Sequence, residues 1–485
     1  MKKKISIIPL DSRPCNTTWL LDLAKIAKVD VKIYPRELCG NLLTGASIDM
    51  MYDWLDENIQ DTDYLIISSD GLCSGGLVQS RLGLIDINKT IQKLAILKEY
   101  KMKYPNLKIY VFDTIMRTTI TSLDDETIKY SKKMNEYSRL VGHYYFFNDE
   151  KYKLELDQLT SEIPNQIIET FLRGRNVKHL LNKFFIESAS DGIIDFLILL
   201  QEDSMPNGIQ KMEQDKLLNM ISYLNVDHKV KFYNGTDEGG AVLLGKVILE
   251  QYNLHPKIYL HLPNDHVLNK VMLFEDQPFI ENLDHMLETM GFIKTKNLNQ
   301  ADFVLGIYAE EPNVILPINT TEEVLPNKNE EYWQFINRLN EFLNQNKRVA
   351  FLDLLFPNGG SIDILKDIEY HKLSSYSAWN TASNALGSCL CEVACIISQP
   401  RQKNKKFMYE RILDDCLYQY VVRRIVNQEF IAKGYNTNNL GEHTPIVLEK
   451  IRSEMKKYDS FVGNFKYQID LPWNRTFEAE IIIEE

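Results

Sequence analysis

Two pairs of adjacent acids stand where chemistry could use them, Glu202-Asp203 and Asp237-Glu238. A helix cap consumes one carboxylate, whereas each pair offers two, and neighbours in an extended segment point to opposite sides. One member can cap or orient while the other faces a pocket. Cleaving a glycosidic bond needs such a set. One protonated carboxyl assists the leaving oxygen, and a second carboxylate stabilises the oxocarbenium ion or activates the nucleophile. Asp11, Asp70 and Asp113 add acids at the ends of apolar runs, and Arg13 and Arg81 can grip a carboxylate or orient an acid. The plainer role for the arginines is a structural ion pair to Asp11 or Asp70. Trp379 and Asn380 offer an aromatic face and an amide for a sugar, or else core packing and a helix cap.

A rival chemistry is divalent-metal-assisted hydrolysis through Asp11, Asp70, His261 and Asp353. The nine histidines are scattered, with no H-x-H, H-E-x-x-H or paired Cys-x-x-Cys, so no metal site and no cofactor is expected. Asn264-Asp265-His266 is the nearest local cluster. Cys389, Cys391 and Cys395 fall in one helical run and read as buried small residues, as does Cys15 beneath a helix. There is no G-x-S-x-G, no P-loop lysine after the glycine pairs and no G-x-G-x-x-G after a strand.

The elements that must position these residues alternate along the chain. Apolar runs at 5–10, 29–34, 64–69, 108–115, 196–201, 230–233, 257–262, 303–308 and 349–355 are separated by amphipathic helical patterns. That is the signature of a parallel sheet covered on both faces. A count of about nine strands predicts a (β/α)8-like barrel over residues 1–400, followed by an accessory layer of helices and a β segment over 401–485. The alternative is two doubly wound α/β domains split near residue 190. The acids cluster at the carboxyl ends of the strands, including Glu310-Glu311 and Asp353, the side on which such folds bind ligands.

Bulk composition narrows the partners. The chain of 485 residues carries 55 Lys+Arg against 67 Asp+Glu, a net charge of −12 that repels nucleic acid. The basic run RQKNKK at 401–406 reads as a solvated connection. The apolar stretch after the N-terminal lysines stops at Asp11, too short for a signal peptide, and no run reaches the ~18 apolar residues of a membrane span. Seven cysteines, an odd number, suit free thiols and a cytoplasmic location. Homo-oligomerisation is left open.

Two resemblances add to this. Segment YNGTDEGG is similar at Gly235 to Glu238 to the Gly-Gly-Asp-Glu strand end of certain β-N-acetylhexosaminidases, with Thr236 departing from the pattern. That likeness implies Asp237 as the partner of a substrate acetamido group and Glu238 as general acid. More broadly, PLDSRPCNT (9–17), SSDGLCSGGLVQSR (68–81), QEDSMPNGIQKME (201–213), GTDE (235–238), AWNTASNALG (378–387) and LPWNRTFE (471–478) resemble an uncharacterised bacterial family, domain of unknown function 4127. This resemblance covers nearly the whole chain and implies one functional unit without implying an activity. Where that family tends to have Asp-Asp, this chain has Glu202-Asp203, which puts weight on Asp203.

The resulting expectation is a glycoside hydrolase for a small glycan, an N-acetylhexosaminide among the candidates. Its catalytic set is Glu238 and Asp237, with Glu202 and Asp203 as the other pair. Asp11, Arg13, Asp70, Arg81, Asp113, Trp379 and Asn380 bind substrate. A metal-dependent hydrolase and a non-catalytic two-lobed sugar-binding protein are the alternatives.

Overall fold

The computed structural model describes residues 3–122, 124–310, 325–400, 405–463 and 465–484. Glu311 of the acid pair and residues 401–404 of the basic run lie outside them. The chain divides into two compact units. The first comprises residues 1–21, 29–244 and 274–277; the second comprises 22–28, 245–273 and 278–485.

In the first unit, six strands form one parallel sheet: β1 (Lys4–Ile8), β2 (Asp30–Ile33), β3 (Tyr64–Ser68), β4 (Lys108–Ile115), β5 (Phe196–Gln201) and β6 (Val230–Asn234). Their order is β2-β1-β3-β4-β5-β6. Strand β5 is buried along its whole length and β4 at all but its first residue, as strands covered on both faces must be. On one face Ile67, Ile109, Val111, Leu197 and Leu199 pack with Leu181, Phe185 and Ile186 of the long helix Asn165–Ser190. On the other, the helix opening at Gly239 lies so close that a Cβ there would come within 2.5 Å of the Phe112 ring. Only glycine permits that approach.

The second unit has a parallel five-stranded sheet: β7 (Lys257–His261), β8 (Ile293–Lys294), β9 (Phe303–Tyr308), β10 (Val349–Asp353) and β11 (Ser375–Ser377). Its order is β11-β10-β9-β7-β8. Val304, Val349 and Phe351 share a core with Tyr332, Phe335, Ile336 and Leu339 of the helix Glu330–Asn344. The same core takes in the π-helical stretch Ile412–Val422 and the antiparallel pair β12 (Tyr467–Asp470) and β13 (Glu480–Ile483).

No closed barrel forms among the described residues. The strands divide between two open sheets, because the helix Gly239–Tyr252 after β6 leads into a new sheet instead of closing the old one. In each sheet the chain reverses its direction of winding once, between β1 and β3 in the first and between β7 and β9 in the second. Crevices at such switch points, outside the carboxyl ends, are where open α/β sheets bind ligands.

Candidate active site at the carboxyl edge of the first sheet

The loop after β1 turns back so that Arg13 is sandwiched between two acids. Its Nε donates to Asp11 at 3.0 Å, and its terminal nitrogens donate to both oxygens of Asp237 at 2.9 and 2.6 Å. Asn16 donates to Asp11 at 2.9 Å, and all three charged groups are buried. Burial alone would weaken the guanidinium, but the Asp11 and Asp237 carboxylates outweigh it and hold Arg13 well above its ordinary value.

Glu238, the next residue, is treated differently. Its Oε2 accepts from the Thr236 amide at 2.8 Å, and its Oε1 has no hydrogen-bond partner. Burial pushes its carboxyl up to about 8, with the charges of Asp237 and Glu275 adding to the effect. The side chain folds over Gly235, where φ is +143° and a Cβ would come within 1.8 Å of Oε1. Gly235 is thus required both for its backbone conformation and to let the acid in.

The model of the family described as protein of unknown function (DUF4127) matches residues 5–482. The chain belongs to this family. The match takes in both units, so the DUF4127 assignment extends to β1–β13 and to the segments at 378–387 and 471–478. No curated protein matches the chain.

The other acids on this edge of the DUF4127 chain are paired. Glu202 Oε2 accepts from Arg81 at 2.9 and 2.5 Å, while Arg81 also donates to Thr121 at 3.0 Å. Burial raises the Glu202 carboxyl, opposed by Arg81 and Arg117. Asp203 pairs with Arg117 and is partly open to solvent. Asp70 and Asp113 share Lys178, which donates to them at 2.6 and 2.9 Å. Thr114 donates to Asp70, and Asn182 and Ser69 donate to Asp113. All three members of that cluster are at most 1% exposed. Burial raises Asp113, opposed by Lys178.

Lys178, Asn182 and Asp276 escape a strand-end search. The first two lie one helical turn apart on the helix Asn165–Ser190, and that spacing was the available signal. Asp276 accepts from Gln210, Gln214 and Asn234 at 2.8–3.1 Å and comes from a distant short segment that no local pattern announces.

Trp379 and Asn380 belong to the second unit. The Trp379 ring is buried against Phe477 at 5.8 Å, and its amide and that of Ala378 donate to Asp415. Asn380 is half-buried, and its carbonyl accepts from the Asn358 amide at 2.6 Å. The metal-ligand alternative is divided likewise. His261 stacks on Phe335 at 4.6 Å, and Asp353 accepts from the amides of Leu355 and Ser361. Among the described residues no three His, Cys, Asp or Glu side chains converge as a ligand set. All seven cysteines are buried and unbridged, and no described helix is long and apolar enough to cross a membrane.

Proposed function

We propose that the carboxyl edge of the first sheet is the active site of a hydrolase for a small glycan, with an N-acetylhexosaminide as the favoured substrate. One observation carries this reading. Neighbouring carboxyls are set in different surroundings, Glu238 kept neutral up to about 8 by burial while Asp237 receives two hydrogen bonds from Arg13. Pairs separated in this way divide the acid and stabiliser roles. Glu238 gives its proton to the glycosidic oxygen as the bond to the anomeric carbon breaks, Asp237 orients the acetamido group or stabilises the positive charge, and water then bonds to the anomeric carbon and returns a proton to Glu238. A cytoplasmic setting accords with seven unbridged cysteines.

A second reading, a two-lobed sugar-binding protein without turnover, draws support from the repeated sheet order with its two switch points. A screen of aryl glycosides, N-acetylhexosaminides included, separates the two. Wild type should turn one over, and Glu238→Gln should slow it by about 10²–10⁴-fold while Asp203→Asn slows it less. Absence of turnover on every glycoside, or an undiminished Glu238→Gln rate, removes the hydrolase reading.

A further inference from the structure

The second sheet has its own crevice, and nothing in the proposed hydrolase chemistry uses it. A cavity of about 340 Å³ opens at the ends of β7 and β9, the point where winding reverses in that sheet. Its volume falls at the low end of the ~300–1,000 Å³ found for small-molecule clefts. Asn264 and Lys270 line it from the segment after β7, Tyr308 and Glu310 from the end of β9, and Asn327 and Glu331 from the approach to the following helix.

The wall is organised before any ligand arrives. Glu310 accepts from the Tyr308 hydroxyl and from the Asn327 amide at 2.7 Å, both on Oε1, so Oε2 is left to accept from a ligand. Asn264 is oriented by donating to Glu331 at 3.0 Å and accepting from the His266 amide at 3.0 Å. Lys270 is a buried cation of the same wall, 7% exposed.

The charge balance decides the ligand class. Two carboxylates against one lysine disfavour a phosphate or a nucleotide. Amide and carboxylate groups in close array match the alternating donors and acceptors of vicinal hydroxyls. We infer that the crevice between β7 and β9 is a second binding site, for a neutral hexose-sized polyol, with Glu310 and Asn264 as its principal hydroxyl partners. The site is independent of the chemistry assigned to Glu238.

Calorimetric titration of the full chain with glucose and with N-acetylglucosamine tests it, on wild type, Glu310→Ala, Asn264→Ala and Glu238→Gln, each first checked for an unchanged melting transition. Both pocket positions are only half-buried, so at least one variant should fold. The expected result is saturable binding of one sugar that weakens about tenfold or more in Glu310→Ala or Asn264→Ala. No binding by wild type up to about 50 mM sugar overturns the proposal, as that lies beyond the millimolar range of weak specific sites. Binding lost only in Glu238→Gln, or, in a third titration with glucose 6-phosphate, seen with that sugar alone, overturns it equally.

Discussion

At the carboxyl edge of the first sheet, Asp11, Asp70, Asp113, Glu202, Asp203 and Asp237 each sit against an arginine or lysine. At the equivalent edge of the second sheet, Glu310 and Glu331 are held by a tyrosine hydroxyl, a backbone amide and an asparagine, beside an open cavity. The difference follows from water. Deeply buried carboxylates must be neutralised or protonated, because desolvating a lone charge costs several kcal/mol. Carboxylates lining a hydrated crevice need no such partner and keep an oxygen for a ligand. Apart from the half-open Asp203–Arg117 pair, ion pairing marks where the first edge is closed, and its absence at Glu238 marks the acid that is left to work as a proton donor.

Three changes would break or sharpen that contrast. Lys178→Met should have the largest effect, since it strands Asp70 and Asp113 in a closed interior. Removing one partner of a buried set costs about 3–5 kcal/mol, to be read from urea unfolding. A loss near zero would mean that this edge is wetter than its burial indicates.

Glu238→Gln comes next, through pH. The folded carboxyl holds its proton up to about 8, whereas the unfolded one releases it near 4.5. Between those values the folded state binds more protons, so this residue makes wild type lose stability as pH rises from 4.5 to 8. Below 4.5 the contribution vanishes, and above 8 the penalty is complete. The variant lacks that slope and should gain on wild type by roughly 3–5 kcal/mol across the window. Parallel pH profiles would show that Glu238 is ionised in the folded protein.

Glu310→Gln should have the smallest effect on stability, within about 1 kcal/mol, because the amide keeps an oxygen for the Asn327 N–H and the side chain is only half-buried. A cost comparable to that of Lys178→Met would make the second edge structural as well and erase the distinction.

By itself the sequence determined the elements. Strands at 108–115, 196–201 and 303–308 fall where their apolar runs place them, since period and composition are local properties. Short strands escaped: β8 has two residues and β11 three, too few to show a period. The π-helical turn of Ile412–Val422 was equally invisible, because its apolar content suits an ordinary helix. The acids at strand ends were legible for the same local reason. Tertiary structure alone decided that eleven parallel strands form two sheets, since closure depends on strand pairing across long separations. It also decided which acid meets which base. Arg13 reaches Asp237 across 224 positions and Lys178 reaches Asp70 across 108, and no spacing rule predicts such pairs. Burial, which leaves Glu238 protonated beside an ion-paired Asp237, exists only once the chain has folded around both.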